Sequence, residues 1–227
     1  MTPLHAQVAS LKTHVYLGGT FNPLHNGHVR MLIDAAETFN ASAAYFVPCH
    51  IPPHKPTPSI NSAARVVQLQ HWLAANPRVL RGCRVDIENY ELSQTAASYT
   101  LNTLRYLRQQ QGADCALIWV IGMDSLVQLD RWHQWQRLLD YAHIAVVARP
   151  DVEMALAPEL AGWWQCHLAA PEALTLQSAG LCCVIDSVEL AISSTQVREC
   201  YAAGKSAQGL VPECIDSFIK PSGWYMA

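Results

Sequence analysis

Short apolar runs alternate along this chain with longer segments whose apolar residues recur every three or four positions. That alternation constrains the fold more than any other feature. A parallel strand covered on both faces is a short continuous apolar run, whereas the helix that returns the chain to the same end of the sheet needs only one apolar stripe. Runs at 15–17, 43–47, 84–87, 116–121, 144–148 and 182–185 read as such strands. A first helix opening near Asn26 or Gly27 carries Val29, Leu32, Ile33 and Ala36 on one side. A second is expected over 62–75, stopping before Pro77. A third starts from Ser98 or Thr100 as N-cap, turns Leu101, Leu104 and Leu107 inward and ends at Gly112. Short helices are expected at 124–129 and 134–138, and two more at 195–203 and 212–219, the last with Pro212 in its first turn. The fold class implied is α/β, a doubly wound parallel sheet with a short C-terminal helical region.

Composition narrows what such a domain does. The 227 residues are 51% hydrophobic and 15% charged, enough apolar material for one large core and too little charge for a disordered chain. A net charge of −3 lacks the basic footprint of a phosphate-backbone binder, so nucleic acid is not an expected partner. No apolar run approaches the ~20 residues of a membrane span. The organisation expected is a loose leader over 1–13, an α/β core over 14–190, and a helical part over 191–227 that belongs to the same domain. Eight cysteines with no Cys-x-x-Cys pair read as reduced thiols in a cytoplasmic protein, and neither a disulfide framework nor a zinc site is expected. One loop stands out: residues 48–58 hold five prolines, which suit neither helix nor central strand and lower the entropy lost when a loop closes on a ligand.

The residues that carry chemistry begin where the first strand meets the first helix, at Gly18-Gly19-Thr20-Phe21-Asn22-Pro23-Leu24-His25-Asn26-Gly27-His28. This stretch has neither the G-x-G-x-x-G of a dinucleotide-binding turn nor the Gly-Lys-Ser/Thr of a P-loop. It offers imidazoles at i and i+3 on one face of a helix start, where free N–H groups and the helix dipole favour an anion, with Gly27 keeping the backbone clear. The competing local reading is a pair of surface or capping histidines. A second stretch, Ile192-Ser193-Ser194-Thr195-Gln196-Val197-Arg198, sets hydroxyls and a guanidinium at another helix start. Such groups converge well on phosphate oxygens, or else make an ordinary N-cap run. In an open sheet of order 3-2-1-4-5, ligands lie at the carboxyl ends of the first and fourth strands. Gly18-Gly19-Thr20 and Gly122-x-Asp124 occupy those ends.

Taken together these motifs resemble the HxGH and ISSTxxR elements of the nucleotidyltransferase superfamily, which has a Rossmann-like fold. With Val47-Pro48, Pro52-Pro53-His54-Lys55, Ser98-Tyr99-Thr100, Ile121-Gly122-x-Asp124-Ser125, Trp132 and Arg149-Pro150 in order, the chain resembles bacterial nicotinate-nucleotide adenylyltransferases over nearly its whole length. The resemblance implies ATP with Mg2+ and nicotinate mononucleotide as partners, and no dedicated protein metal site. It implies His25, His28 and Arg198 as the catalytic groups. Gly18, Gly19, Thr20, Phe21, Gly122, Asp124, Ser193, Ser194 and Thr195 join them in binding ATP. Lys55, Ser98, Tyr99, Thr100, Trp132 and Arg149 are implied around the nicotinate nucleotide, with Trp132 as stacking platform and Trp135 as the core tryptophan. Two positions depart from the pattern: Asn22 stands where Asp is common, and Asp151 where Gly is usual after Arg149-Pro150. The oligomeric state stays open, homo-oligomer included. Two other functions are weighed: a superfamily member acting on nicotinamide mononucleotide or a phosphopantetheine, and a non-catalytic nucleotide sensor.

Overall fold

The structure is a computed structural model that describes residues 10–52, 58–95, 97–148, 154–188 and 190–226. Six strands, β1 (Lys12–Gly19), β2 (Ala43–Pro48), β3 (Arg84–Ile87), β4 (Cys115–Gly122), β5 (His143–Val147) and β6 (Cys182–Ile185), form one all-parallel sheet in the order β3-β2-β1-β4-β5-β6. The helices are α1 (Asn26–Thr38), α2 (Ser62–Ala75), α3 (Thr100–Gln111), α4 (Met123–Leu126), α5 (Pro158–His167), α6 (Pro171–Leu174), α7 (Ser194–Ala202) and α8 (Glu213–Ser222). Single 3-10 segments at Tyr90–Ser93, Leu129–Arg131 and Trp135–Asp140 fill the connections. The doubly wound sheet expected from sequence is therefore present, and β1 begins inside the stretch read as a leader.

Each face of the sheet has its own apolar layer because successive strand residues point to opposite sides. Val15, Leu17 and Phe46 pack with Leu32 and Ala36 of α1, Leu69 and Trp72 of α2, Val197 and Tyr201 of α7 and Ile215 and Ile219 of α8. Tyr16, Leu117 and Trp119 pack on the other face with Leu101, Leu104 and Leu107 of α3 and Leu160 and Trp164 of α5. All eight residues of β4 are buried, as a central strand covered on both sides must be. β1 runs beside β4 with Leu17 opposite Val120 and beside β2 with Gly19 opposite Pro48, so the carboxyl ends of the three strands lie level. The chain reverses its winding direction between β1 and β4, and the crevice at this switch point is where ligands of open α/β sheets sit.

Several local expectations are corrected. α3 takes Tyr99 as its N-cap, without a side-chain bond, rather than Ser98 or Thr100. The Ser98 hydroxyl is turned away to accept the His50 N–H at 3.0 Å. Pro212 is the N-cap of α8 and not part of its first turn. The helix expected at 124–129 is split into α4 and a 3-10 turn, and the one at 134–138 is a 3-10 segment. α5 and α6 had no counterpart in the sequence reading. All eight cysteines are free thiols. Among the described residues no helix is long and apolar enough to cross a membrane.

Two buried histidines make the fold sensitive to acid. His143 is fully buried, donates from Nε2 to the Gln177 carbonyl at 2.9 Å and accepts the Leu181 N–H on Nδ1 at 3.1 Å, an arrangement that only the neutral ring allows. Burial is the main cause that lowers its pKa to about 4, with the Arg108 cation adding to it. His14, also buried, is lowered to about 4 by burial and by Lys12. An unfolded histidine titrates near 6.5. The unfolded chain therefore binds more protons as pH falls from about 6.5 toward 4, and stability drops through that window while staying level above it. His143 alone should remove about 2 kcal/mol of unfolding free energy by pH 5. Urea unfolding at pH 7.5 and pH 5 measures this, and equal stability at both would contradict the neutral-ring assignment.

Candidate functional site

The phosphate-site expectation rests on the turn between β1 and α1, where the structure joins the two histidines. His25 is the N-cap of α1: its Nδ1 accepts the backbone N–H of His28 at 3.3 Å. With Nδ1 accepting, the neutral ring carries its proton on Nε2. The imidazoles of His25 and His28 stack with centroids 3.6 Å apart and planes 23° from parallel. His25 is buried and His28 half-buried, which makes the pair part of the fold and not a surface accident.

The glycines of this turn sit against close side-chain neighbours. A Cβ on Gly18 would fall 2.4 Å from the Trp119 ring, and one on Gly19 would fall 2.8 Å from the Phe21 ring. Both therefore make room for neighbouring aromatics below the strand end. At Gly27 a Cβ would lie 3.0 Å from His25 Nδ1 and in ordinary contact, 3.6 Å, with the Ile192 carbonyl. The glycine lets the His25 ring lie close over the helix start. Phe21, expected among the ATP contacts, has a fully buried side chain, edge-on to His28 at 5.0 Å and to Phe46 at 5.4 Å. Only its backbone is left to meet a nucleotide.

The second motif docks on the first. Ser193 caps α7 by accepting the Gln196 N–H at 3.1 Å, and Ser194 donates to the Pro23 carbonyl at 3.2 Å. Arg198 donates to the Asn22 carbonyl at 2.9 Å and to Thr195 Oγ1 at 3.1 Å. Ser194 is thus committed to the turn. The exposed hydroxyls of Ser193 and Thr195 act as acceptors here and keep their own protons to donate. Gly122 leaves room for the Asp124 carboxylate, whose Oδ1 lies 2.6 Å from where a Cβ would stand, so that carboxylate folds back over the end of β4. Asp124 lies in the first turn of α4, with Gly122 as the N-cap.

The expected pyridine pocket is only partly assembled from the residues named. The Tyr99 ring lies 4.7 Å from the His133 ring, which brings the start of α3 beside Trp132, a half-buried side chain on the edge of the second apolar layer. Trp135 is buried against Trp163 at 5.1 Å and takes the core role expected of it. Thr100 is half-buried in the first turn of α3. Ser98 is a brace: besides receiving the His50 N–H, its hydroxyl donates to the Glu91 carboxyl. Lys55 and Arg149, and Asp151 with them, lie outside the described residues.

Asn22 is held from every side. Tyr225 donates to its Oδ1 at 2.9 Å, Ser59 exchanges hydrogen bonds with its amide at 3.3 Å, and Gln68 reaches Tyr225 at 3.4 Å while accepting the Leu24 N–H at 3.3 Å. Tyr225, Gln68, Arg65 and Glu91 were not read as site residues. A signal existed for two of them, since Arg65 and Gln68 sit on the stripe that Leu69 and Trp72 make toward the core. A cation and an amide on an apolar stripe need partners deeper in the molecule.

A parallel sheet with paired imidazoles at one helix start, bonded to a hydroxyl-rich helix start at the same crevice, defines a nucleotidyltransferase-class site. Residues 16–200 match the cytidylyltransferase-like family. A protein of Saccharophagus degradans named as a probable nicotinate-nucleotide adenylyltransferase is 36% identical over 212 residues, covering 92% of this chain and 94% of that protein. One of Yersinia enterocolitica with the same name is 35% identical, covering 93% and 94%. The structure of a Plasmodium falciparum nicotinic acid mononucleotide adenylyltransferase has the same fold at a TM-score of 0.73 and 13% identity, covering 94% of this chain and 97% of that one. The chain belongs to the cytidylyltransferase-like family and, within it, to the nicotinate-nucleotide adenylyltransferases.

Proposed function

We infer that this chain transfers the AMP part of ATP to nicotinate mononucleotide, giving nicotinate adenine dinucleotide and pyrophosphate in NAD biosynthesis. The observation that carries the reading is the stacked His25–His28 pair at the start of α1, joined through the Asn22–Arg198 bond to the hydroxyls of α7. Relatives named for this activity match from end to end, and the Plasmodium structure of the same fold is a complex with NaAD.

In this reading the phosphate of nicotinate mononucleotide attacks the α-phosphorus of ATP in line and pyrophosphate leaves. No protein nucleophile is required, so the chain contributes position and charge. His25 and His28 donate to oxygens on which charge builds; Ser193, Thr195 and Arg198 hold the leaving pyrophosphate. Among the described residues no group of three or more His, Cys, Asp or Glu side chains could hold an ion, and Asn22 supplies a neutral amide at the turn. Asp124 would be the carboxylate at the crevice nearest to Mg2+ carried in with ATP, and the ion would supply charge neutralisation of the triphosphate. The setting proposed is the cytoplasm, where free thiols stay reduced.

Pyrophosphate release with ATP, measured against nicotinate, nicotinamide and pantetheine phosphates, tests the function. Nicotinate mononucleotide should give the largest kcat/KM, and no turnover with any acceptor would favour a nucleotide sensor. Trp132→Ala should weaken nicotinate mononucleotide by about 1 to 2 kcal/mol while leaving ATP affinity and melting temperature nearly unchanged, because its ring is only half-buried at the edge of the second apolar layer. Isothermal calorimetry and a melting curve check this. A large loss of stability would return Trp132 to the core.

A further inference from the structure

We propose that Arg65 is a positioning residue of the transfer reaction, fixing from α2 the peptide that leads into the phosphate turn and the first residues of the proline-rich loop. This inference rests on the function proposed above.

Arg65 is 1% exposed, yet it has no carboxylate ion pair among the described residues. Its two Nη groups donate to backbone carbonyls, Nη1 to Thr20 at 2.6 Å and Nη2 to Cys49 at 2.7 Å and His50 at 3.2 Å, while the buried Nε finds no hydrogen-bond partner among the described residues. Glu91 is a carboxyl that faces it, itself buried and pushed above the usual carboxylate range by that burial. A buried cation held in this way is a poor choice for stability alone, since apolar packing of similar volume does as well. What a planar fork supplies and an apolar side chain cannot is a fixed direction for several carbonyls at once.

That direction matters at the three places it touches. The Thr20–Phe21 peptide is trans, so a carbonyl aimed at Arg65 turns the Phe21 N–H away from α2. Phe21 has a φ of 50°, a left-handed conformation that a bulky residue keeps only when its surroundings over-determine it. The Cys49–His50 peptide is held at both ends, its carbonyl on Arg65 and its N–H on Ser98 Oγ. Ser98 in turn pairs its own N–H with the Ile51 carbonyl at 3.0 Å and its hydroxyl with Glu91. Arg65 and Ser98 therefore link the phosphate turn, the start of the proline-rich loop and the start of α3 into one unit. Those are the segments that must hold the attacking phosphate in line with the α-phosphorus.

The test is Arg65→Lys, which keeps the charge and loses the fork. In protein shown to be folded by near-ultraviolet circular dichroism and a cooperative melt, kcat should fall roughly 10- to 100-fold, while the KM for ATP stays within about threefold. A residue needed only for packing would lower the melting temperature and leave the kcat of folded enzyme as it was; that result overturns the proposal. Ser98→Ala reads the other end of the same unit should the lysine variant not fold. It should lower the kcat of folded enzyme at least about threefold even where loss of the His50 and Glu91 bonds lowers the melting temperature, and an unchanged kcat in this variant also overturns the proposal. Activity of the unsubstituted enzyme tests the function, and the ratio between it and either variant tests the positioning role.

Discussion

Replacing His28 by alanine should lower kcat by roughly 10²-fold or more, about 3 kcal/mol of transition-state stabilisation, with a much smaller change in ATP affinity. The asymmetry follows from when the charge appears. As the α-phosphorus is attacked, the triphosphate oxygens gain charge that bound ATP does not yet carry, and a fixed donor at a helix start is worth most at that moment. The fold should tolerate the change because the bond that orients His25 comes from the backbone N–H of residue 28, which alanine retains. The losses to the fold include the stacking contact with His25 and the edge contact with Phe21, together about 1 to 3 kcal/mol. Steady-state kinetics, calorimetric ATP binding and a melting curve on the same preparation separate the two effects. Folded His28→Ala enzyme with normal kcat would sink the phosphate-site assignment.

The fold was legible because a doubly wound sheet repeats one simple pattern. β3 and β6 were read to the residue, and β1, β2, β4 and β5 to within a few residues at their ends, since continuous apolar runs mark buried parallel strands and little else. α5 was missed because only Leu160 and Trp164 along it are buried, too few to draw a helical stripe. The paired motifs were legible as motifs, but the steric neighbours of their small residues were not. Gly18 and Gly19 accommodate Trp119 and Phe21, side chains distant in sequence or hidden below the turn, and no spacing rule reveals a steric neighbour of that kind. Ser98 looked like a cap because hydroxyls before helices usually are caps. Here a tertiary partner, the His50 N–H, takes the hydroxyl instead. Asn22 read only as a departure from a pattern in which Asp is common; in the fold it is the hub onto which α7, Ser59 and Tyr225 converge.

That convergence fixes what to expect of Arg198. One of its Nη atoms closes on the Asn22 carbonyl and the other on Thr195 Oγ1, so the guanidinium ties the second motif to the turn that presents His25. Five N–H donors are available to it, and these two bonds leave others for phosphate oxygens. Arg198→Ala should therefore act on both ground state and transition state. ATP affinity should fall by roughly 10-fold, about 1.4 kcal/mol, because a guanidinium already holds phosphate before reaction, and kcat by roughly 10²-fold as the leaving pyrophosphate loses its cation. The turn should not collapse, because Tyr225 and Ser59 still hold the Asn22 side chain and Gln68 still holds the Leu24 N–H. The buried Asn22 carbonyl loses its guanidinium donor, which should cost about 1 to 3 kcal/mol of stability. Arg198→Lys should restore part of the ATP affinity through its charge, yet recover kcat poorly, since one ammonium group cannot span Asn22, Thr195 and a phosphate together. Calorimetric binding and pyrophosphate-release kinetics on both variants decide it. If alanine lowers stability alone, with kcat and ATP affinity of the folded enzyme intact, then Arg198 is a strut between the two motifs and the leaving group is held by the α7 hydroxyls without it.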